Sequence, residues 1–206
     1  MSNPWRWENA EQFCLSISLD RTPEEIIDIY GADVEKARQL PLNTAPSAPA
    51  RGVALRAGSL GRWAFCIEFD NPIGCTERIM RDLSEHTESI TLLRTAKALK
   101  TFHYAANGKV HEWFEPGYPP SVRGRSRYNF ARKVHALTSA GADTISACSQ
   151  VISLHIGQEI TTETLEGPLL SAVVAEIDRA GLDHPDPPLR YPSSSLRSSG
   201  HLGRRL

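Results

Sequence analysis

His103, His111 and Glu112 fall within ten residues of one another in the stretch FHYAANGKVHEW, residues 102–113. Imidazoles beside a carboxylate are what metal centres and acid–base catalysts draw on. How they are presented depends on Asn107 and Gly108, which separate two alternating runs. Both central residues of a type I′ turn take positive φ, so Asn-Gly closes a two-residue hairpin. The resulting register sets Tyr104 opposite His111, His103 opposite Glu112 and Phe102 opposite Trp113. The two histidines then point to opposite sides of the sheet. His103 and Glu112 share a face without a third ligand, so the expectation is a structural cross-strand pair and no metal.

Glu68 lies in the most apolar run, RWAFCIEF, where burial would raise its pKa and suit it to general acid–base work. Covered on that face, it requires a partner, and Arg56 or Arg94 is the expected one. Cys14 and Cys66 sit in the middle of apolar runs, as inert core thiols do, and Cys75 stands just before a helix start. G-x-S-x-G, G-x-x-x-x-G-K-[ST], G-x-G-x-x-G and H-E-x-x-H are all absent, so no catalytic residue and no cofactor is assigned. SVRGRSRYNFARKVH carries Arg123, Arg125, Arg127, Arg132 and Lys133 interleaved with Tyr128 and Phe130, a composition that suits phosphates and stacked bases. ISLHIGQEITTETLEG has the outline of a helix-turn-helix, but its second helix would offer Glu163 and Glu166 and no base to a major groove.

The elements that must position these residues are read from periodicity. Phe13, Leu15, Ile17 and Leu19 alternate as in a half-buried strand, and Thr22, Pro23, Glu25 and Gly31 start and stop a helix. GVALRAG and RWAFCIEF read as strands around a short connector, Thr76 as the cap of a helix carrying Ile79, Met80 and Leu83, and SITLL as a further strand. Helical spacing returns at Ala131, Val134 and Leu137 and again from Ile145 to His155, and Thr161 or Thr162 caps another turn. Pro168 is expected to open a last helix, PLLSAVVAEIDRA. The expectation is an α+β fold. A mostly antiparallel sheet of about six strands with helices on one face fills residues 1–120, an all-helical region follows over 121–181, and a Pro-, Ser- and Arg-rich disordered tail covers 182–206.

The composition fits a soluble globular protein: 206 residues, 40% hydrophobic, 23% charged, net charge −1. The N-terminal residues MSNPWRWENAEQ lack the pattern of a signal peptide, and no run of about 18 apolar residues occurs. With four cysteines and no Cys-x-x-Cys pair, a cytoplasmic protein without membrane contact is expected.

The succession TPEEIIDIYGA, GRWAFCIEFDNPIG, LSEHTESITLL, FHYAANGKVHEWFEP and ITTETLEGPLLSAV resembles an actinobacterial family of domains of unknown function, over roughly residues 8–174. The resemblance implies the α+β core and a cytoplasmic setting, and no reaction, cofactor or catalytic residue. It also implies glycine where this chain has His86.

Three functional expectations follow. The leading one is a non-enzymatic interaction module for a protein partner, in a regulatory or immunity-like role, because aromatics and arginines abound without a catalytic constellation. The second is a small-molecule enzyme or binder with a cleft between sheet and helical region, using Glu68, His103 and Glu112. The third is nucleic-acid binding through Arg123, Arg125, Arg127, Arg132 and Lys133.

Overall fold

The alternating run opens the fold as β1 (Phe13–Leu19) in the computed structural model, which describes residues 7–176. Helix α1 (Pro23–Ile29) follows with a complete capping box: Glu25 N donates to Thr22 Oγ1 at 3.2 Å and Thr22 N donates to Glu25 Oε2 at 2.7 Å. Next come β2 (Arg38–Leu40), β3 (Val53–Leu60), β4 (Trp63–Glu68) and helix α2 (Glu77–Leu83). Thr76 occupies the N-cap of α2, but its hydroxyl makes no capping bond. Strands β5 (Glu88–Arg94), β6 (Lys100–Ala106), β7 (Lys109–Glu115) and β8 (Tyr118–Gly124) lead to α3 (Phe130–Ser139), α4 (Thr144–Ile156), α5 (Thr162–Glu166) and β9 (Leu169–Val174).

All nine strands join one sheet in the order β2-β9-β3-β4-β1-β5-β6-β7-β8, and every pairing is antiparallel. This overturns the expectation of about six strands followed by an all-helical region. The segment expected to be a helix from Pro168 forms β9, inserted between β2 and β3. Its Leu and Ala residues are good helix formers, but β2 pairs with Leu169–Ser171 and β3 with Leu170–Val174, and tertiary context overrides propensity. Strand β8 contains Pro119 and Pro120, tolerable because it is an edge of the sheet.

Helices cover both faces of the sheet rather than one. Phe130, Val134, Ile145, Val151 and Ile152 of α3 and α4 pack on Leu15, Ile17, Phe65, Ile67, Phe102 and Phe114. On the opposite face Ile26, Ile27 and Tyr30 of α1, with Ile79 and Leu83 of α2, meet Val53, Leu55, Ala64 and Cys66. Buried Arg56 ties three peripheral pieces together, donating to Leu40 O at 3.2 Å, Leu165 O at 3.1 Å and Gly167 O at 2.9 Å. His86 takes the left-handed conformation, φ 58, that glycine adopts without steric cost.

The Asn107-Gly108 turn forms with φ 49 and 70, and Ala106 faces Lys109 and Ala105 faces Val110. Beyond that the expected register fails. The pairing shifts between Tyr104 and Ala105, so Tyr104 faces Glu112, His103 faces Trp113 and Phe102 faces Phe114. His111 is the extra residue of this bulge. The tail expected over 182–206 lies outside the described residues. No helix among the described residues is long and apolar enough to cross a membrane.

Candidate functional site

The bulge separates the residues that the sequence grouped. Glu112 turns toward α3, away from the α2 side of the sheet, where His103 lies near Trp113 with ring centroids 6.2 Å apart. Glu68 shares the face of His103, through the cross-strand row Cys66, Ser16, Thr91, His103. Three strand steps lie between them, about 14 Å at the usual spacing. Glu68, His103 and Glu112 therefore stand in three separate places and cannot grip one ligand.

Glu68 and Glu112 both serve the backbone. Glu112, 2% exposed, accepts from Ser126 N at 3.1 Å, from the Ser126 hydroxyl, from Phe130 N at 3.3 Å and from Ala131 N at 2.8 Å, so it caps the start of α3. Glu68, fully buried, accepts from Ile73 N at 2.7 Å and Gly74 N at 3.0 Å. Neither Arg56 nor Arg94 reaches it as expected; Arg94 Nη1 donates instead to Glu8 O at 3.1 Å. Burial pushes the Glu68 carboxyl up to about 7, against the pull of the Ile73, Tyr30 and Gly74 hydrogen bonds. A Cβ on Gly74 would stand 2.3 Å from Tyr30 Oη and 2.6 Å from Glu68 Oε1, so only glycine fits over this carboxylate.

Burial holds the His103 imidazole down at about 3, and its Nδ1 has no hydrogen-bond partner among the described residues. The four cysteines are free thiols. Burial raises Cys14, Cys66 and Cys148 well above the usual thiol range and Cys75 to about 11, which leaves none primed as a nucleophile. Among the described residues, no three His, Cys, Asp or Glu side chains are grouped so as to hold a metal ion.

The basic segment is also divided. Arg123 lies across from Trp113, and its Nη1 donates to Pro120 O and Val122 O, each at 3.0 Å. Arg132 and Lys133 are exposed on α3. Arg125 and Arg127 instead line an open hollow of about 550 Å³. It lies between the ends of β1 and β5, the β6–β7 hairpin and the loop from β8 to α3, and Asp20, His86 and His111 also line it.

Glu88 and Tyr104 line it and belong to a cluster that the sequence did not reveal, completed by Tyr128 and His155, which do not line it. Tyr104 Oη donates to Glu88 Oε2 at 2.6 Å, and Tyr128 Oη donates to the same oxygen at 3.2 Å. His155 Nε2 lies 3.4 Å from Glu88 Oε1. The ring of His155 is packed edge-on against Tyr128, Phe130 and Trp63, with centroids 4.3, 5.1 and 5.4 Å away. Burial lowers the His155 pKa, with the Glu88 charge opposing, and burial followed by Glu88 pushes the Tyr104 phenol far up. Residues 88, 104, 128 and 155 come from β5, β6, the loop before α3 and α4, so no spacing announces them.

Charge at the hollow is unevenly satisfied. Asp20 is held by the fork of Arg62, Nε to Oδ1 at 2.9 Å and Nη2 to Oδ2 at 2.5 Å, and Glu88 by its two phenols. The guanidinium of Arg125 donates from Nε to Asn129 Oδ1 at 2.8 Å, and that of Arg127 lies 4.7 Å from the centre of the Tyr128 ring and donates to its hydroxyl. Neither arginine has a carboxylate partner within ion-pair distance among the described residues. The arrangement offers two positively charged forks above a floor whose acid is already bonded. It presents no activated nucleophile, since Tyr104 is kept protonated and His155 is walled in by rings.

The chain matches the model of a family of unknown function, DUF6461, over residues 2–150. No curated protein and no solved structure matches it. It therefore belongs to the DUF6461 family, and the matched span contains Glu88, Tyr104, Arg125, Arg127 and Tyr128 but ends within α4, before His155 and β9.

Proposed function

From membership of a family that assigns no reaction, we propose that this chain is a cytoplasmic binding module for a small anionic ligand, carboxylate or phosphate, seated in the hollow under Arg125 and Arg127. The observation that carries the reading is the contrast in pairing: the acids at the hollow are engaged, while its two arginines have no carboxylate. A hollow of about 550 Å³ is within the range of small-molecule sites, and arginine forks suit planar oxyanions. It is not the cleft expected from the sequence, because Glu68, His103 and Glu112 do not line it. Free thiols, three of them buried, support the cytoplasmic setting.

A small ligand is favoured over nucleic acid because Arg123, Arg132 and Lys133 do not continue the two arginines into one strip. It is favoured over a protein partner because the exposed large apolar side chains among the described residues, Leu99, Tyr118 and Leu154, come from the β5–β6 loop, β8 and α4. Calorimetric titration with inorganic phosphate and with citrate tests the proposal. The intact chain is expected to bind at least one, and R125Q/R127Q to lose at least tenfold in affinity. Equal affinity of the two proteins, or no binding of either anion, would count against it.

A further inference from the structure

Of the chain's asparagines, only Asn107 is followed by glycine. Without a side chain, Gly108 leaves its main-chain nitrogen open to attack the preceding carboxamide. A Cβ there would stand 3.4 Å from Arg81 Cγ and 3.9 Å from Arg81 O, so the glycine lies against the last turn of α2. Asn107 itself is exposed, and its carboxamide makes no hydrogen bond with another described residue.

Two main-chain bonds hold the hairpin tip to the rest of the fold. Asn107 N donates to Thr87 O at 2.9 Å, and Gly108 N donates to Ser84 O, just past α2, at 3.1 Å. The second bond engages the very nitrogen that would have to attack. With φ 49 at Asn107 and 70 at Gly108 the turn is tight, so ring closure waits until the tip lifts from α2. An exposed loop tip opens at far lower cost than the sheet behind it.

Asn107 lines the same hollow as Arg125 and Arg127. A carboxylate in place of its amide would add negative charge there and compete with a bound anion for the arginine forks. We propose that Asn107 is a site of spontaneous deamidation, released when Gly108 leaves Ser84, and that the acid it yields disables the anion hollow. That consequence rests on the anion-binding reading above. In the reaction Gly108 N bonds to Asn107 Cγ, the Cγ–Nδ2 bond breaks, and ammonia leaves with the proton lost from Gly108 N. Water, the sole co-reactant, then opens the cyclic imide at either carbonyl to give aspartate or isoaspartate. Isoaspartate also inserts a methylene into the main chain of a two-residue turn.

The test incubates the full chain at mildly alkaline pH, folded and, in parallel, unfolded in urea, and follows each asparagine by peptide mapping. In the folded chain Asn107 is expected to convert roughly tenfold or more faster than Asn9 and Asn43, which are exposed but precede Ala10 and Thr44. Urea should speed the conversion further by removing the hold of Ser84. Calorimetric titration with inorganic phosphate and with citrate then compares the fresh parent, the aged parent, N107D and N107G, both substitutions being compatible with positive φ. N107D and the aged parent should bind roughly threefold or more weakly than the fresh parent, while N107G should not change on ageing. Conversion no faster than at Asn9 and Asn43, a rate indifferent to urea, or an N107D that binds like the fresh parent would overturn the proposal. If the fresh parent binds neither anion, the anion-binding reading falls and the loss of binding with it, while the conversion rates still decide whether Asn107 is a modification site.

Discussion

Tyr104 donates its phenol hydrogen to Glu88 Oε2 at 2.6 Å, joining neighbouring strands β5 and β6 at the floor of the hollow. Tyr104 is 5% exposed, so phenylalanine in its place would keep the ring packing and remove one donor from a partly buried carboxylate. Y104F is expected to lose about 1–3 kcal/mol of unfolding free energy, read from the urea midpoint at unchanged slope. A loss below about 0.5 kcal/mol would mean that Tyr128 satisfies Glu88 unaided.

Glu112 should prove among the most sensitive polar positions in the chain. Its carboxylate faces donors only: Ser126 N and its hydroxyl, Phe130 N and Ala131 N. In E112Q an amide NH₂ replaces one acceptor and confronts those donors. The expected cost is about 2–4 kcal/mol, with reduced protection against hydrogen exchange at the start of α3 as the local signature. An E112Q as stable as the parent would show that the cap is dispensable.

Stability should fall as pH rises through the range set by Glu68. Its pKa is about 7 in the folded chain against an ordinary 4.5, so between these pH values the folded state binds the extra proton. The contribution of the neutral acid is fully present below about 4.5 and is lost by about 7, at most roughly 3 kcal/mol. E68Q cannot titrate, and the stability gap between the parent and E68Q should move in the parent's disfavour over that interval. A gap independent of pH would refute the raised pKa.

His103 acts with the opposite sign. Held near 3 in the fold against 6.5 otherwise, it stays neutral while the unfolded chain takes up a proton. Its contribution is present above 6.5 and is lost as pH falls toward 3. H103L should flatten the acid limb of the stability profile between those limits, measured by urea unfolding, whereas an unchanged limb would assign acid loss to other groups.

The parts of the fold legible in the sequence are those set by local chemistry. Thr22 and Glu25 announce α1, the alternation from Phe13 to Leu19 announces β1, and Asn107-Gly108 announces the hairpin turn. What escaped depends on distant partners. The slip of one residue after Tyr104 places Glu112 beneath α3, where it meets amides 14 to 19 positions away in sequence, and alternation within β7 carries no trace of that demand. β9 escaped because its strand form relies on β2 and β3 for partners, while Pro168 ahead of Leu169 and Leu170 reads as a helix start. The hollow shows the same division: Arg125 and Arg127 stand out in the sequence as basic residues, but Glu88, Tyr104, Tyr128 and His155 are brought together only by sheet order and helix packing.

The most direct test of the anion site is the side-chain NMR spectrum of the full chain, recorded at the arginine Nε–H and histidine ring resonances during titration with inorganic phosphate and, separately, citrate. Saturable shifts of Arg125 and Arg127 with at least one of the two anions are predicted, with His111 following, while Arg123, Arg132 and the buried His103 stay still. Shifts spread evenly over all exposed arginines, or none at Arg125 and Arg127 with either anion, would contradict a binding site in the hollow.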